Sequence, residues 1–159
     1  ARGVMRCAQA VTKDIEAEAA TLVLDSFTEA TALRLGKLLV DLALADALPV
    51  VINIRTADRT LFHAALPGSA PLNDLWARRK SNTALAFQLP SLLVGLRNKA
   101  KAEGLDRHGL PPGDYADSGG AVPVRVKGVG MVAVATVSGL PQVEDHKLVV
   151  RGLKALIAG

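Results

Sequence analysis

The segment MVAVATV, residues 131–137, is apolar at every position but Thr136. A strand with apolar side chains on both faces must lie inside a sheet that is covered on both sides. Residues 122–127 form a second strand candidate, and Gly128 between the two segments predicts a hairpin turn. The chain is therefore predicted to place this hairpin in a sheet flanked by helices.

A second hairpin is predicted earlier in the chain. Residues 49–56 alternate, with Val50, Ile52 and Ile54 on one face, and residues 60–66 resume the pattern after a short polar turn. The remaining segments predict helices at 9–20, 26–48, 72–87, 91–103 and 141–158, a short strand at 22–24, and an ordered loop at 104–120. Two hairpins and several helices predict an α+β layered domain.

Two helix boundaries carry specific signals. Ser26 and Glu29 fit a capping box, in which both side chains bond free backbone N–H groups at a helix start. Gly104 is a normal C-terminal stop for the helix at 91–103.

Size and composition exclude several classes of protein. The 159 residues predict a single domain over 1–159, with the first few residues treated as an extension and left out of the fold prediction. Half of the residues are apolar, which excludes disorder, and only 3% are aromatic. The net charge of +4 is spread thinly, and residues 78–80 form the only run of three basic side chains, so no nucleic-acid partner is predicted.

The expected location is cytoplasmic. Cys7 is the single cysteine, so an internal disulfide is excluded and a reducing compartment is the simplest interpretation. The most apolar region, 38–54, is interrupted by charged residues and a proline, which predicts no membrane span, and residues 1–10 lack the apolar core of a signal peptide.

The last helix is predicted to turn a histidine inward. On a helical wheel its apolar residues share one face, with His146 near the middle. Near a helix start the backbone dipole disfavours a protonated ring, so a neutral His146 could bond a ligand, serve as a general base or hold a metal. The alternative is a core histidine satisfied by ordinary partners.

The helix at 72–87 is predicted to face inward with Leu72, Leu75 and Trp76, and Arg79 lies at the centre of that face, with Lys80 at its edge. A guanidinium is not buried without partners. Either Asp145 or Glu144 pairs with Arg79, or an anionic ligand does.

Three further features are candidates for a site. Gly119 and Gly120 precede a strand, so their backbone N–H groups could hold an anion, or they could serve only as a turn. His63 shares a strand face with apolar residues and is a candidate metal ligand or a structural residue. A triad of Ser138, His146 and Asp145 is disfavoured, because adjacent helix positions point about 100° apart.

Three stretches resemble one family. FHAALPG at 62–68, WARRK at 76–80 and SGLPQVEDH at 138–146 are similar to the haem-degrading-domain (GlcG/HbpS-like) proteins, in particular their bacterial and fungal branch. The resemblance covers most of the chain from about residue 22 onward. The sequence differs from the GlcG-type pattern at His146, where that pattern has an acidic residue.

The resemblance implies a profilin-like fold, with an antiparallel sheet of about five strands flanked by helices. It also implies a homo-oligomer, and haem or iron as ligands of some relatives, for which His63 and His146 are the candidate ligands here. The positions that it places at a site are His63, Asn73, Trp76, Arg79, Lys80, Gly119, Gly120, Asp145 and His146.

Three functions remain open at this stage. The leading hypothesis is a protein that binds haem or another small anionic molecule, in a pocket with Arg79, Lys80, His146 and the two glycines. The second is an enzyme, for haem degradation or for acid–base chemistry with His146 as general base or metal ligand. The third is a structural oligomer without a ligand.

Overall fold

The computed structural model describes residues 2–159, which form a five-stranded sheet with helices on both faces. The elements are α1 (Arg2–Thr21), β1 (Val23–Leu24), α2 (Glu29–Ala45), β2 (Val51–Arg55), β3 (Thr60–Ala65), α3 (Pro71–Phe87), α4 (Ser91–Lys101), a 3₁₀ turn (Leu105–His108), β4 (Ala121–Val126), β5 (Gly130–Ser138) and α5 (Gln142–Ala158). The predicted order of helices and strands is confirmed.

The sheet has the strand order β1-β4-β5-β2-β3, and both predicted hairpins are present. The α+β class is confirmed, but the prediction of an antiparallel sheet is wrong at one edge, where β1 runs parallel to β4. No hairpin joins β1 to β4, so the connection does not impose antiparallel pairing.

The larger core lies between the sheet and the helices α2 and α5. Leu35 and Leu39 from α2 and Leu153 from α5 are almost completely buried in it. The two helices approach closely at Gly152, where an added Cβ would lie 2.5 Å from Leu39 Cδ2. This layer accounts for most of the buried apolar side chains.

The opposite face of the sheet packs against α3, mostly through residues that were not predicted to be inward; of the predicted inward face only Thr83 is buried, together with Lys80 at its edge. Leu72 and Leu75 are 61% and 58% exposed. The buried positions of α3 are Ala77, Lys80, Ser81, Thr83 and Ala84. These side chains are mostly small, which lets the helix lie close to β5, so the predicted face is wrong by a rotation about the helix axis.

Several boundaries also differ from the predictions. Helix α1 begins at Arg2 rather than at residue 9, and it buries no residue within Arg2–Thr21. The cap of α2 is Thr28, which exchanges hydrogen bonds with Thr31, and Ser26 lies outside the helix. Among residues 2–159, no helix has the length and apolarity that a membrane span requires.

Candidate functional site

Lys80 and Asp145 form an ion pair in the interior, where they are 3% and 2% exposed. Lys80 Nζ donates to Asp145 Oδ2 at 3.0 Å, to the Val137 carbonyl at 2.8 Å and to the Gly119 carbonyl at 3.0 Å. Three acceptors match the three donors of an ammonium group, so the geometry supports the charged form of the pair.

Asp145 also closes the connection between β5 and α5. Its Oδ1 accepts from the Leu140 amide at 2.9 Å, and its Oδ2 accepts from the Gly139 amide at 3.3 Å. Burial raises the pKa of Asp145, and Lys80 and these two amides oppose that shift. Burial likewise lowers the pKa of Lys80, against the attraction of Asp145. The pair thus holds together α3, β5 and the start of α5.

A cavity of about 250 Å³ lies beside this pair. We call it the Trp76 cavity; five of the predicted site residues line it, namely Asn73, Trp76, Lys80, Gly119 and Asp145. Lys80 has already used its three donors, and the Gly119 amide donates to Gln142 Oε1 at 3.0 Å. Two of the groups expected to hold an anion here, the Lys80 ammonium and the Gly119 amide, are therefore occupied by the protein itself.

Arg79 and His146 do not meet beneath the glycines. Arg79 lies over the Trp76 ring, with its guanidinium carbon 4.3 Å from the ring centroid. It is Lys80, the next residue, that pairs with Asp145. In the part of the chain that the structure describes, neither Arg79 nor His146 lines the Trp76 cavity, so the predicted convergence is wrong. The reason is the rotation of α3, which points Lys80 inward.

Gly120 packs directly against the Lys80–Asp145 ion pair. Its φ is +136°, and an added Cβ would lie 2.4 Å from Lys80 Nζ and 2.4 Å from the Val137 carbonyl. Only a residue without a side chain leaves the space that the ammonium group fills.

His146 is inward, as the helical wheel predicts, and is 4% exposed. Its Nδ1 has no hydrogen-bond partner among residues 2–159. Burial lowers the pKa of His146, and the negative charge of Glu18 on α1 opposes that shift. Asp145 bonds Lys80 instead of His146, so the disfavoured triad with Ser138 is absent from the described chain.

We expect His146 to make the protein less stable in mild acid. The folded pKa lies below the unfolded value of about 6.5, so the unfolded state binds the proton first. Stability is therefore lost as the pH falls through about 6.5 and levels off below the folded pKa. The free energy of unfolding in urea, measured from pH 7.5 to pH 5, should fall less steeply for His146→Leu than for wild type. The two slopes should differ by up to about 1.4 kcal/mol per pH unit.

The control for this prediction is Leu148→Ala, which truncates another buried side chain of α5 without removing a titratable group. It should lower stability and keep the wild-type pH slope. A His146→Leu slope equal to that of wild type would contradict the prediction.

A larger cleft of about 480 Å³ lies between the β2–β3 hairpin and α3. We call it the Arg55 cleft; its polar lining residues are Asn53, Arg55, Asp58, Arg59, Thr60, His63, Asp74, Arg78, Ser81 and Asn82. Of the predicted site residues, only His63 lies in this cleft. Of the nine predicted site residues, five thus line the Trp76 cavity, one lies in the Arg55 cleft, and Arg79, Gly120 and His146 line neither.

Both ring nitrogens of His63 are occupied. Nδ1 lies 3.1 Å from Asn53 Nδ2, and Nε2 lies 2.8 Å from Asp74 Oδ1. With the Asn53 amide in this orientation, Nδ1 accepts and Nε2–H donates to Asp74, while Asn53 Oδ1 is buried without a partner among residues 2–159. His63 in this arrangement has no free lone pair for a metal or for a substrate proton.

Arg55 is the cation of this cleft that lacks a carboxylate partner among residues 2–159. Its Nη1 donates to Ser81 Oγ at 3.0 Å and to Asn82 Oδ1 at 2.9 Å, and its Nε donates to the Thr56 carbonyl at 3.3 Å. Burial lowers the pKa of Arg55, the positive charge of Arg78 acts in the same direction, and Tyr115 opposes both. A bound anion would relieve the repulsion between the two arginines.

The other two arginines of the cleft are paired at its rim. Arg78 bonds Asp114 at 2.8 Å, and Arg59 bonds Glu29 at 3.4 Å. Asn82 connects the loop before β4 to the cleft. Its Nδ2 donates to the Asp114 carbonyl at 2.8 Å, and its Oδ1 accepts from Arg55. The half-buried Arg55 is thus held in place by neutral groups.

Sequence reasoning missed Arg55, Arg78 and Asn82 as site residues. A partial signal was available, since the alternation of β2 puts Asn53 and Arg55 on one face, next to the strand that carries His63. The second wall of the cleft comes from α3, 19 to 27 residues after Arg55, and the sequence pattern assigned that helix the wrong face.

The residues of one chain do not fit a metal ion or haem. Among residues 2–159, no group of three or more His, Cys, Asp or Glu side chains could hold a metal. Haem needs an apolar slot and an axial ligand. A third cavity, of about 310 Å³, has apolar walls at Leu93 and Val122, but its polar lining residues are Glu16, Arg97 and Arg125.

The histidines offer no better fit to haem. His63 lies in a polar cleft, and His146 is absent from the walls of the Arg55 cleft, the Trp76 cavity and the third cavity.

The fold and the site define a small α+β domain with a polar cleft against its sheet. The family model described as haem degrading protein HbpS-like matches residues 27–154. A UPF0303 protein of Streptomyces coelicolor is 48% identical over 145 residues, which cover 91% of this chain and 92% of the relative. A UPF0303 protein of Burkholderia thailandensis is 46% identical over 144 residues, which cover 90% and 87%. The chain belongs to the HbpS-like family, and the resemblance noted in the sequence is confirmed.

Solved structures show the same fold. The Ybr137w protein has a TM-score of 0.85 at 29% identity, with 92% of this chain and 88% of that chain covered. HbpS has a TM-score of 0.67 at 23% identity, with 87% and 95% covered. A complex of PduOC with haem has a TM-score of 0.69 at 20% identity, with 83% and 95% covered. At these identities the likeness to HbpS and PduOC concerns the fold alone.

Proposed function

We propose that this protein binds a small molecule with a carboxylate or phosphate group in the Arg55 cleft. The observation that carries the proposal is Arg55 itself, a half-buried guanidinium oriented by Ser81 and Asn82 and without a carboxylate partner within residues 2–159. A planar guanidinium held in one orientation is well suited to bind carboxylate or phosphate.

The size of the cleft also supports a small-molecule ligand. Its volume of about 480 Å³ lies within the range of about 300–1,000 Å³ that is usual for such sites. Both ring nitrogens of His63 are bonded to protein side chains and not to open space in the cleft, which favours binding over acid–base catalysis. The Trp76 cavity, whose ammonium group is saturated, is a weaker candidate.

Arg55→Gln is expected to weaken anion binding at least tenfold, because a hydrogen bond to a charged group contributes about 1.5–3 kcal/mol. Isothermal titration calorimetry at low salt, with propyl phosphate and succinate as probes, measures this loss. The matched control is Arg151→Gln, which removes the same charge from an exposed position on α5 and should bind like wild type.

Two outcomes would contradict this proposal. If neither probe binds to wild type, the cleft is not an anion site of this kind. If Arg55→Gln binds as tightly as wild type, the ligand lies elsewhere, and the Trp76 cavity becomes the place to test.

Haem is the second candidate ligand. It is supported by the family, whose description names haem degradation, and by the haem complex of PduOC, which has this fold. Because one chain offers no fitting slot among its described residues, we place such a site between copies of a homo-oligomer. A haem titration followed by absorbance, on wild type, His63→Ala and His146→Ala, tests this candidate. The absence of a Soret shift in wild type would remove it.

A further inference from the structure

The Arg55 cleft has ends of opposite charge. Asp74 and Arg78 lie one turn apart on α3, about 6 Å along its axis. On the facing strand, Asn53 and Arg55 are two residues apart, about 7 Å. The charge therefore changes in the same direction along both walls of the cleft. Asp74 and His63 lie at one end, and Arg55 and Arg78 lie at the other.

The acidic end has an unused hydrogen-bond acceptor. Asp74 Oδ1 accepts from His63 Nε2, and the other ring nitrogen of His63 is bonded to Asn53. Asp74 Oδ2 has no hydrogen-bond partner in residues 2–159, and the side chain is 40% exposed. A carboxylate only accepts hydrogen bonds, so this end favours a group that donates them.

The second carboxylate of the cleft differs from Asp74 in its position. Asp58 lies in the turn between β2 and β3 and accepts the Thr56 hydroxyl at 2.9 Å. It therefore lies at the Arg55 end and lowers the net positive charge there, whereas Asp74 faces the other end.

We propose that the ligand of the Arg55 cleft is bipolar: a phosphate or carboxylate bound by Arg55 and Arg78, on a short carbon chain whose other end donates hydrogen bonds to Asp74. This inference rests on the proposed function and adds the class of ligand to it. Hydroxylated acids, sugar or polyol phosphates and amino-alkyl phosphates share this chemistry. A bare inorganic anion would use only one end of a cleft of about 480 Å³.

The test compares phosphate monoesters that differ in their donors. Glycerol 3-phosphate carries two hydroxyl groups, O-phosphoethanolamine carries an ammonium group, and propyl phosphate carries neither. By titration calorimetry, at least one of the two donor-bearing esters should bind wild type about tenfold more tightly than propyl phosphate, because it gains a hydrogen bond to a carboxylate. Which of the two binds more tightly distinguishes a hydroxyl ligand from an ammonium ligand.

Asp74→Asn should abolish this preference and leave the affinity for propyl phosphate within about twofold. Asp58→Asn makes the same chemical change at the other end of the cleft, so it should keep the preference. Equal affinities of all three esters for wild type would overturn the inference while the proposed function stands. A preference that survives in Asp74→Asn would also overturn it. If no ester binds, this inference fails, and the proposed function fails with it if succinate does not bind either.

Discussion

Replacing Lys80 with methionine is expected to lower the free energy of unfolding by about 3–5 kcal/mol, because the buried Asp145 carboxylate is left without its counter-charge. The methionine fills a similar volume, so the loss measures charge and hydrogen bonding rather than a cavity. The Gly119 and Val137 carbonyls lose a donor in the same variant. Urea unfolding followed by circular dichroism gives the value.

Two further variants identify the cause. Lys154→Met breaks an ion pair with Glu18 in which the lysine side chain is 54% exposed, and it should cost no more than about 1 kcal/mol. Lys80→Met combined with Asp145→Asn removes the unpaired charge and should be more stable than Lys80→Met alone. A double variant no more stable than the single one would show that the buried charge is not responsible.

Gly120→Ala is expected to cost about 3 kcal/mol or more, since it combines backbone strain with overpacking. Its φ of +136° is unfavourable for alanine, and the new Cβ would lie 2.4 Å from a backbone carbonyl and 2.4 Å from the saturated Lys80 ammonium. Neither neighbour can move without breaking the bonds around Asp145. Thermal and urea unfolding both measure this loss.

The matched control is Gly128→Ala in the β4–β5 turn. Gly128 also has a positive φ, +74°, but nothing lies within 4 Å of its added Cβ. It should cost only the backbone term, about 1–2 kcal/mol. If the two variants lose equal stability, the close packing of Gly120 against Lys80 does not contribute to the free energy of unfolding.

The elements were predictable because their signals are local. The alternation in β2 and β3, the apolar run of β5 and the positive-φ glycine between β4 and β5 each depend on a few neighbouring residues. The inward position of His146 follows in the same way from the spacing of apolar residues along α5. Such patterns reflect burial of one face, which is a property of the element itself.

The face of α3 was not predictable from its own residues. Leu72, Leu75 and Trp76 suggested one inward face, yet the two leucines are exposed and Trp76 is only partly buried. The small residues Ala77, Ser81 and Ala84 form the contact instead. A helix that lies close to a sheet needs small side chains at the contact as well as apolar ones. A helical wheel shows only which residues are apolar.

Periodicity and turn chemistry in this chain therefore settle the order of the elements, the two hairpins and the burial of His146. The tertiary structure decides which cation is buried, because Lys80 is inward only where Asp145, 65 residues later, meets it. It also decides that Arg55 faces Ser81 and Asn82 across a cleft. Contacts between distant segments depend on how the layers stack, and the free energy of a buried charge depends on those contacts.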